Sequence, residues 1–264
     1  GIHAIDLLVA NLYPFERMAT QGLPLAELVE FIDIGGPAMI RAAAKNHERV
    51  AVVVAPADYP VVSAALGRGD FTGEERLALA KKAFARTAAY DAAISNHLHS
   101  LDGALPPVYT FQARNGRILR YGENPHQAGA VYGEAGIAGL VPLQGREMSY
   151  NNYLDMDAAV ALLREFDETS CVCVKHNNPC GVATGGDLLE TYVAAREVDP
   201  DSSYGGIVAL NREVDTGVAE EIASTFIEVV TAPSFTTGAL AAFRKRSAWP
   251  MTSSRMASKW ATIS

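Results

Sequence analysis

Two residues with complementary chemistry stand side by side after an apolar stretch. Lys175 and His176 directly follow the run 171–174, whose composition is typical of a buried strand. Such strands deliver polar residues to the carboxyl edge of a sheet, where ligands bind. Neighbouring side chains on a strand face opposite ways, so this cation and this base can share a site only if the chain bends. The Asn, Pro and Gly residues at 177–181 favour that bend. The alternative is an exposed lysine beside a capping histidine.

The same segment raises the possibility of zinc, because it contains Cys171, Cys173, His176 and Cys180. A zinc deaminase needs His-x-Glu together with Pro-Cys-x-x-Cys. Here Gly, Val and Ala follow Cys180, and two asparagines follow His176. The pattern lacks one cysteine ligand and the glutamate, so we predict no metal at this site.

A second candidate site spans residues 33–45. Two glycines precede a helical segment with Pro37 in its first turn, and the N–H groups at such a helix start can bind a phosphate or a carboxamide. The alternative is a plain strand-to-helix turn with Lys45 as a solvated cation favoured by the helix dipole. Arg120 and Tyr121 likewise offer a guanidinium for phosphate and a ring for stacking, or form only a surface pair.

Apolar periodicity predicts a layered α/β architecture with two domains divided near 100–107. Strands are predicted at 5–10, 50–55, 109–112, 171–174, 207–210 and 229–231. Helices are predicted at about 25–31, 37–45, 74–98, 155–165, 187–197 and 214–224. From 229 to 264 the sequence has no Asp or Glu, and we expect this tail not to continue the α/β pattern.

Composition excludes several classes of protein. A net charge of −8 disfavours nonspecific nucleic-acid binding. The apolar runs are shorter than the roughly 20 residues of a membrane-spanning helix, so we expect no membrane partner. Three cysteines do not suggest a disulfide framework, which favours a reducing, cytoplasmic location.

Taken together, seven segments in order resemble the bifunctional AICAR transformylase/IMP cyclohydrolase family. The segments are 11–15, 32–36, 41–47, 119–127, 149–152, 175–181 and 203–206. The resemblance implies a partial methylglyoxal-synthase-like domain, the C-terminal part of the cyclohydrolase, at 1–105. It implies the N-terminal half of a cytidine-deaminase-like transformylase domain without zinc at 106–246, and it leaves 247–264 as an atypical tail.

The resemblance also implies site residues and partners. By motif position, the catalytic residues are Lys175 and His176 in the transformylase and Lys45 in the cyclohydrolase. The ribonucleotide would contact Arg120, Tyr121, Gly205 and Glu228 in the former and Asn11, Tyr13, Asp33 and Ile34 in the latter. The implied co-substrate is 10-formyltetrahydrofolate, no metal is required, and the intact family forms homodimers.

Some features of the family are missing from the sequence. Its first strands, its phosphate loop, a Lys-Thr-Leu-His-Pro-type segment and the second half of the transformylase domain do not occur. We therefore expect an internal fragment that supplies only half of each site, with a truncation or a shifted reading frame beyond about Arg246. Two alternatives stay open: a noncatalytic nucleotide-binding regulatory module, and a zinc-type nucleoside deaminase-like protein.

Overall fold

The computed structural model describes residues 3–103, 105–114, 116–133, 135–140, 142–245 and, for the backbone alone, 251–253. The chain divides into two compact units, residues 1–112 and 113–264. The division falls a few residues beyond the predicted break at 100–107. Both units mix helices with strands, so the predicted α/β class is confirmed at that level.

The first unit is built around two short parallel strands, β1 (Leu7–Val9) and β2 (Ala51–Val53), with Leu8 opposite Val52. Its helices are α1 (Phe15–Ala19), α2 (Leu25–Leu28), α3 (Gly35–Lys45), α4 (Tyr59–Arg68) and α5 (Gly73–Ser100). Single 3-10 turns lie at Val29–Phe31 and Pro56–Asp58. Both faces of β2 are buried, because Val52 packs with α3 and α5 residues while Ala51 and Val53 pack with Phe71 and Leu79.

The long helix α5 begins at a complete capping box. The Thr72 side chain accepts a hydrogen bond from the Glu75 backbone, and the Glu75 carboxylate accepts one from the Thr72 backbone. These two bonds satisfy N–H groups that a helix start leaves without internal partners. The box explains why the helix starts where the sequence predicted. Helix α4 was not predicted.

The second unit contains a six-stranded sheet in the order β5-β10-β9-β8-β6-β7. The strands are β5 (Pro142–Gln144), β6 (Thr169–Lys175), β7 (Asn178–Gly185), β8 (Ile207–Leu210), β9 (Val229–Ala232) and β10 (Met251–Ser253). Strands β8, β9 and β10 are parallel, whereas β6 is antiparallel to both of its neighbours. A separate antiparallel pair, β3 (Arg117–Ile118) and β4 (Ala130–Val131), precedes the sheet, followed by a 3-10 turn at Gly136–Gly139.

Helices cover both faces of this sheet. They are α6 (Tyr150–Leu163), α7 (Leu188–Glu197), α8 (Pro200–Ser203), α9 (Thr216–Ser224) and α10 (Thr237–Arg244). Val172 and Val174 of β6 pack with α6, whereas Cys171 and Cys173 pack with α7 and α9 residues on the opposite face. This alternation is the two-residue period of a strand buried on both sides. Within the described ranges, none of the helices combines the length and the hydrophobicity of a membrane-spanning segment.

Several sequence predictions differ from this architecture. No strand forms at 109–112, and α6 begins at Tyr150, upstream of the predicted 155, because Ser149 and Asn152 form a capping box. The expectation that the α/β pattern stops after 229 is wrong for the described residues, since α10 follows β9 and β10 pairs in parallel with it. The frame change predicted after Arg246 concerns residues that lie outside the described ones, apart from the backbone of 251–253.

Candidate functional site

The predicted bend at Lys175 and His176 is a tight hairpin turn. Lys175 ends β6 and pairs with Asn178 of β7, which leaves His176 and Asn177 as the two central residues. Their φ angles are 51° and 64°. Two consecutive left-handed residues are the geometry of a type I′ turn, which matches the twist of an antiparallel hairpin. Lys175 is half-buried and His176 is exposed.

The turn does not lie at the carboxyl ends of the parallel strands, where the sequence predicted it. Because β6 is antiparallel to β8, its carboxyl end lies beside the amino ends of the parallel strands β8 and β9. The prediction of a carboxyl-edge site is therefore wrong for this sheet, since that rule applies to parallel strands.

Gly205 and Glu228 lie at the same edge as Lys175. The Lys175 ammonium donates a 2.6 Å hydrogen bond to the carbonyl oxygen of Tyr204. The next residue, Gly205, has φ 73°, and its N–H donates to the Phe226 carbonyl at 2.7 Å. The Glu228 N–H in turn donates to the Gly206 carbonyl at 2.8 Å. The segment that binds the ammonium is thus hydrogen-bonded to the segment that carries Glu228.

Glycine at 205 keeps the space beside the ammonium open. A Cβ atom added there would lie 3.9 Å from the Lys175 Nζ and 3.5 Å from the Phe226 ring. A positive φ at this position also disfavours residues with side chains. At Gly206 the requirement is stricter, because a Cβ would lie 2.7 Å from the Val174 carbonyl oxygen.

The Glu228 carboxylate is fixed by a buried amide that the sequence did not single out. Asn152 Nδ2 donates to Glu228 Oε2 at 2.6 Å. The orientation of this amide is set by its other end, since Asn152 Oδ1 accepts from the N–H and the hydroxyl of Ser149, both at 3.0 Å. The signal available in the sequence was the N-cap pattern of Ser149 followed three residues later by Asn152.

Arg120 and Tyr121 reach the same helix start. The Arg120 N–H donates to the Met148 carbonyl at 3.2 Å, and the Tyr150 N–H donates to the Tyr121 carbonyl at 3.1 Å. The Arg120 guanidinium lies 4.8 Å from the centre of the Tyr121 ring and donates to its hydroxyl at 3.1 Å. The two side chains predicted as phosphate and stacking groups therefore contact each other.

An acidic residue contributes to the charge around Lys175. The pKa of Asp199 is lowered, chiefly because its carboxylate accepts hydrogen bonds from Ser202 at the start of α8, and the positive charge of Lys175 adds a smaller effect. Asp199 therefore stays ionised to lower pH than an ordinary aspartate.

The four residues considered for zinc do not come together as ligands. Cys171 and Cys173 lie in the hydrophobic core, and burial raises the pKa of the Cys171 thiol. Cys180 contacts the Ser203 hydroxyl at 3.6 Å, and His176 is exposed at the turn. Among the residues that the structure describes, no group of three or more His, Cys, Asp or Glu side chains could hold a metal ion.

In the first unit, Asp33 and Ile34 line an open pocket of about 470 Å³ between the start of α3 and the end of α5. The Asp33 carboxylate accepts a 2.7 Å hydrogen bond from the Gly36 N–H. It therefore occupies one of the helix-start donors that we expected to bind a phosphate or carboxamide. The Asp33 N–H donates to the hydroxyl of Tyr90, which donates to the Phe31 carbonyl, and burial raises the pKa of Tyr90.

The remaining predicted residues of this unit do not line that pocket. Asn11 and Tyr13 follow β1 and are exposed, and Lys45 is the exposed last residue of α3. Because an α-helix rises about 1.5 Å per residue, the two ends of α3 lie about 15 Å apart. The structure thus brings Asp33 and Ile34 together but leaves Lys45 at the other end of the helix.

Comparison with known proteins identifies the family. The model of the AICARFT/IMPCHase bienzyme family matches residues 43–259. The chain belongs to this family. The resemblance stated from the seven segments is confirmed, and the match to the bienzyme family extends beyond residue 246, into the predicted atypical tail.

Curated relatives of the bienzyme family carry the name bifunctional purine biosynthesis protein PurH. The protein from Magnetococcus marinus is 50% identical over 258 residues, which cover 92% of this chain and 48% of the relative. The protein from Sorangium cellulosum is 50% identical, and the match covers 92% of this chain and 50% of the relative. The protein from Aquifex aeolicus is 49% identical, and the match covers 91% of this chain and 49% of the relative. The chain therefore spans about half the length of the curated relatives it matches.

Proposed function

We propose that this protein takes part in de novo purine biosynthesis, in formyl transfer from 10-formyltetrahydrofolate to AICAR and in cyclisation of the product FAICAR to IMP. The observation that carries the proposal is the position of the Lys175 ammonium. It is hydrogen-bonded at 2.6 Å to the segment that holds Gly205 and, through that segment, is linked to the Glu228 backbone. A cation, a glycine and a fixed carboxylate thus belong to segments that are hydrogen-bonded to one another, and we place the nucleotide beside them.

In formyl transfer, the 5-amino nitrogen of AICAR attacks the formyl carbon and a new C–N bond forms. The amine is a poor nucleophile, because it is conjugated with the carboxamide-bearing imidazole. His176 accepts the proton that the amine loses. The bond between the formyl carbon and the folate nitrogen then breaks, and Lys175 stabilises the oxyanion or protonates that leaving nitrogen. An ammonium has three donors, and Tyr204 takes one of them.

Arg120, Tyr121, Gly205 and Glu228 would bind the ribonucleotide. Support comes from their shared anchor, because Tyr121 and Glu228 are both hydrogen-bonded to the first turn of α6. The Arg120 guanidinium is exposed and can leave the Tyr121 ring to pair with a phosphate. Glu228 contributes a carboxylate held at a helix start, where the dipole favours negative charge.

In the cyclisation, the carboxamide nitrogen of FAICAR attacks the new formyl group and water leaves. We assign nucleotide binding to Asn11, Tyr13, Asp33 and Ile34 and catalysis to Lys45. Asp33 and Ile34 have the support of a shared pocket. Lys45 and Tyr13 rest on motif position alone.

The remaining expectations are part of the same proposal. The first unit would be a methylglyoxal-synthase-like cyclohydrolase domain, and the second a cytidine-deaminase-like transformylase domain that works without a metal. The protein would act in the cytoplasm as a homodimer, with a purine ribonucleotide and a folate as its small-molecule partners.

The test is an assay of the 264-residue chain with AICAR and 10-formyltetrahydrofolate, following tetrahydrofolate formation. Lys175→Ala and His176→Ala should each lower turnover by about 100-fold or more. Lys81→Ala, an exposed lysine on α5, is the control and should leave turnover unchanged. Because the sequence predicts only half of each site, binding of AICAR to the wild-type chain is measured by calorimetry beside turnover. No binding of AICAR by the wild-type chain, or near-normal turnover by both site variants, would overturn the proposal. Cyclisation of FAICAR, with Lys45→Ala as the variant, tests the second activity separately.

A further inference from the structure

The hairpin turn that presents His176 is unfavourable for its own residues. His176 and Asn177 are the two non-glycine residues with positive φ in the described part of the chain. Left-handed backbone is disfavoured for residues with a Cβ, although Asn and His tolerate it better than most. A two-residue turn of this type prefers Asn-Gly. Contacts outside the turn must therefore help to hold it.

Two hydrogen bonds hold the turn. The Asn177 N–H donates to the Asp155 carboxylate at 2.6 Å, and the Asn178 side-chain amide donates to the His176 carbonyl at 2.8 Å. The second bond is local to the hairpin. The first reaches the turn from α6, in a different part of the unit.

Helix α6 binds two other parts of the proposed site through its side chains. Asp155 is three residues after Asn152, so the two side chains lie on the same side of the helix. Asn152 binds Glu228, while Asp155 binds the His176–Asn177 turn. A hydrogen bond that a backbone N–H donates to a carboxylate is shorter and stronger than a neutral one, which suits it to holding a turn of unfavourable geometry.

The geometry points to Asp155 as a positioning residue: its carboxylate holds the Asn177 N–H and thereby sets the direction in which the His176 side chain leaves the turn. Asp155 acts through the backbone of the turn and takes no proton in the reaction. This role rests on the proposed function of His176 in formyl transfer, but the turn itself can be measured without any activity.

The direct measurement is amide hydrogen exchange of Asn177, by NMR on the ¹⁵N-labelled 264-residue chain. Asp155→Ala should speed exchange at Asn177 by about tenfold or more, because a hydrogen bond to a charged acceptor is lost. Asp155→Asn retains an acceptor oxygen and should speed it less. The matched control is Asp157→Ala, an exposed aspartate on the same helix, which should have no effect.

The functional measurement is formyl transfer by the same variants. Asp155→Ala should lower kcat by about 10- to 100-fold, the cost of slight misplacement of a reacting group, with a smaller change in KM for AICAR. Asp155→Asn should stay within about threefold of the wild type, because a neutral acceptor is weaker but still present. The midpoint of its pH–kcat profile should match that of the wild type, since the role does not depend on the aspartate charge acting on the imidazole.

A second substitution separates positioning from general damage. Asn177→Gly favours the left-handed turn without help from outside, so in the Asp155→Ala background it should recover most of the lost kcat. Four results would each overturn the role of Asp155. Two concern Asp155→Ala: an unchanged exchange rate at Asn177, or a normal kcat. The others are a shifted midpoint of the pH–kcat profile in Asp155→Asn, and no recovery of kcat when Asn177→Gly is added to Asp155→Ala. If instead His176→Ala itself has normal turnover, the role proposed for His176 in formyl transfer fails, and the exchange data still decide whether Asp155 holds the turn.

Discussion

Asn152 Nδ2 donates a 2.6 Å hydrogen bond to Glu228 Oε2 across 76 positions of sequence. Asn152→Asp keeps an acceptor for Ser149 but places a second carboxylate against Glu228. We expect the free energy of unfolding to fall by about 2 kcal/mol, the value of a hydrogen bond to a charged group. A few tenths of a kcal/mol of this loss should be offset, because an acidic residue is favourable in the first turn of a helix. Urea unfolding measures this, and binding of AICAR should weaken in the same variant.

The control for Asn152 exchanges the two functional groups. In the double variant Asn152→Asp with Glu228→Gln, the new amide can donate to the new carboxylate, so most of the lost stability should return. A single variant as stable as the wild type, or a double variant no better than the single one, would mean that this hydrogen bond contributes nothing to the fold.

Gly181 of β7 lies so close to α7 that no side chain fits. An added Cβ would overlap the Ala195 carbonyl oxygen, which belongs to the backbone and cannot rotate away. Gly181→Ala should destabilise the second unit by about 3 kcal/mol or more. Gly186→Ala is the matched control, because nothing lies within 4 Å of its added Cβ; it should stay within about 0.5 kcal/mol of the wild type. Equal stability of the two variants in urea would contradict the close packing of α7 on β7.

Gly36 determines where the Asp33 carboxylate can lie. A Cβ at Gly36 would approach the carboxylate carbon of Asp33 to 2.8 Å, whereas one at Gly35 meets nothing within 4 Å. Gly36→Ala should therefore displace Asp33 from the Gly36 N–H and cost about 1 kcal/mol, the usual value of a lost helix cap. Calorimetry should show weaker IMP binding for Gly36→Ala and unchanged binding for Gly35→Ala. If both variants bind IMP like the wild type, Asp33 is not part of the nucleotide site.

Acid should weaken the start of α5 through Glu75. The hydrogen bond from the Thr72 N–H is the main cause that lowers the pKa of Glu75 below its ordinary value of 4.5, and Arg68 adds to it. A lowered folded-state pKa contributes stability that is complete above about pH 4.5 and is lost as the pH falls through the folded value. The Tm of Glu75→Gln should therefore be below that of the wild type at pH 7 and approach it near pH 3.

The control for this pH dependence is Glu74→Gln, an exposed neighbour in the same first turn. Its Tm difference from the wild type should vary less with pH. A Tm difference for Glu75→Gln that is constant from pH 7 to pH 3 would show that the capping carboxylate does not have a lowered pKa.

Local patterns predicted the central strands and the turn. The apolar stretch at 171–174 predicted most of β6, and Asn, Pro and Gly after it predicted the bend that the φ angles of His176 and Asn177 confirm. Because the same residues are turn formers, which were not expected within a strand, β7 was not predicted. Since β7 lies at the edge of the sheet, it tolerates Pro179 and Gly181 better than a central strand would.

Tertiary relationships could not be predicted in this way. Nothing local indicates that Asn152 meets Glu228 or that Asp155 meets Asn177, because these contacts depend on how α6 packs on the sheet. The direction of β6 is also a property of the whole sheet, so the edge to which Lys175 belongs was assigned wrongly. Residues 229–245 misled for a different reason: a lack of acidic residues says little about periodicity, and the Thr236 side chain caps α10 without them.

The left-handed backbone at His176 has a consequence for how natural variation should be read. A chain selected for stability alone would favour Asn and Gly at 176 and 177. Replacing His176 with glycine should therefore give a protein that resists heat better but, under the proposed function, transfers formyl groups about 100-fold or more slowly. A substitution that raises stability and lowers activity marks a trade-off between the two. Selection for activity would then explain a histidine at this position, which stability measurements alone would not reveal.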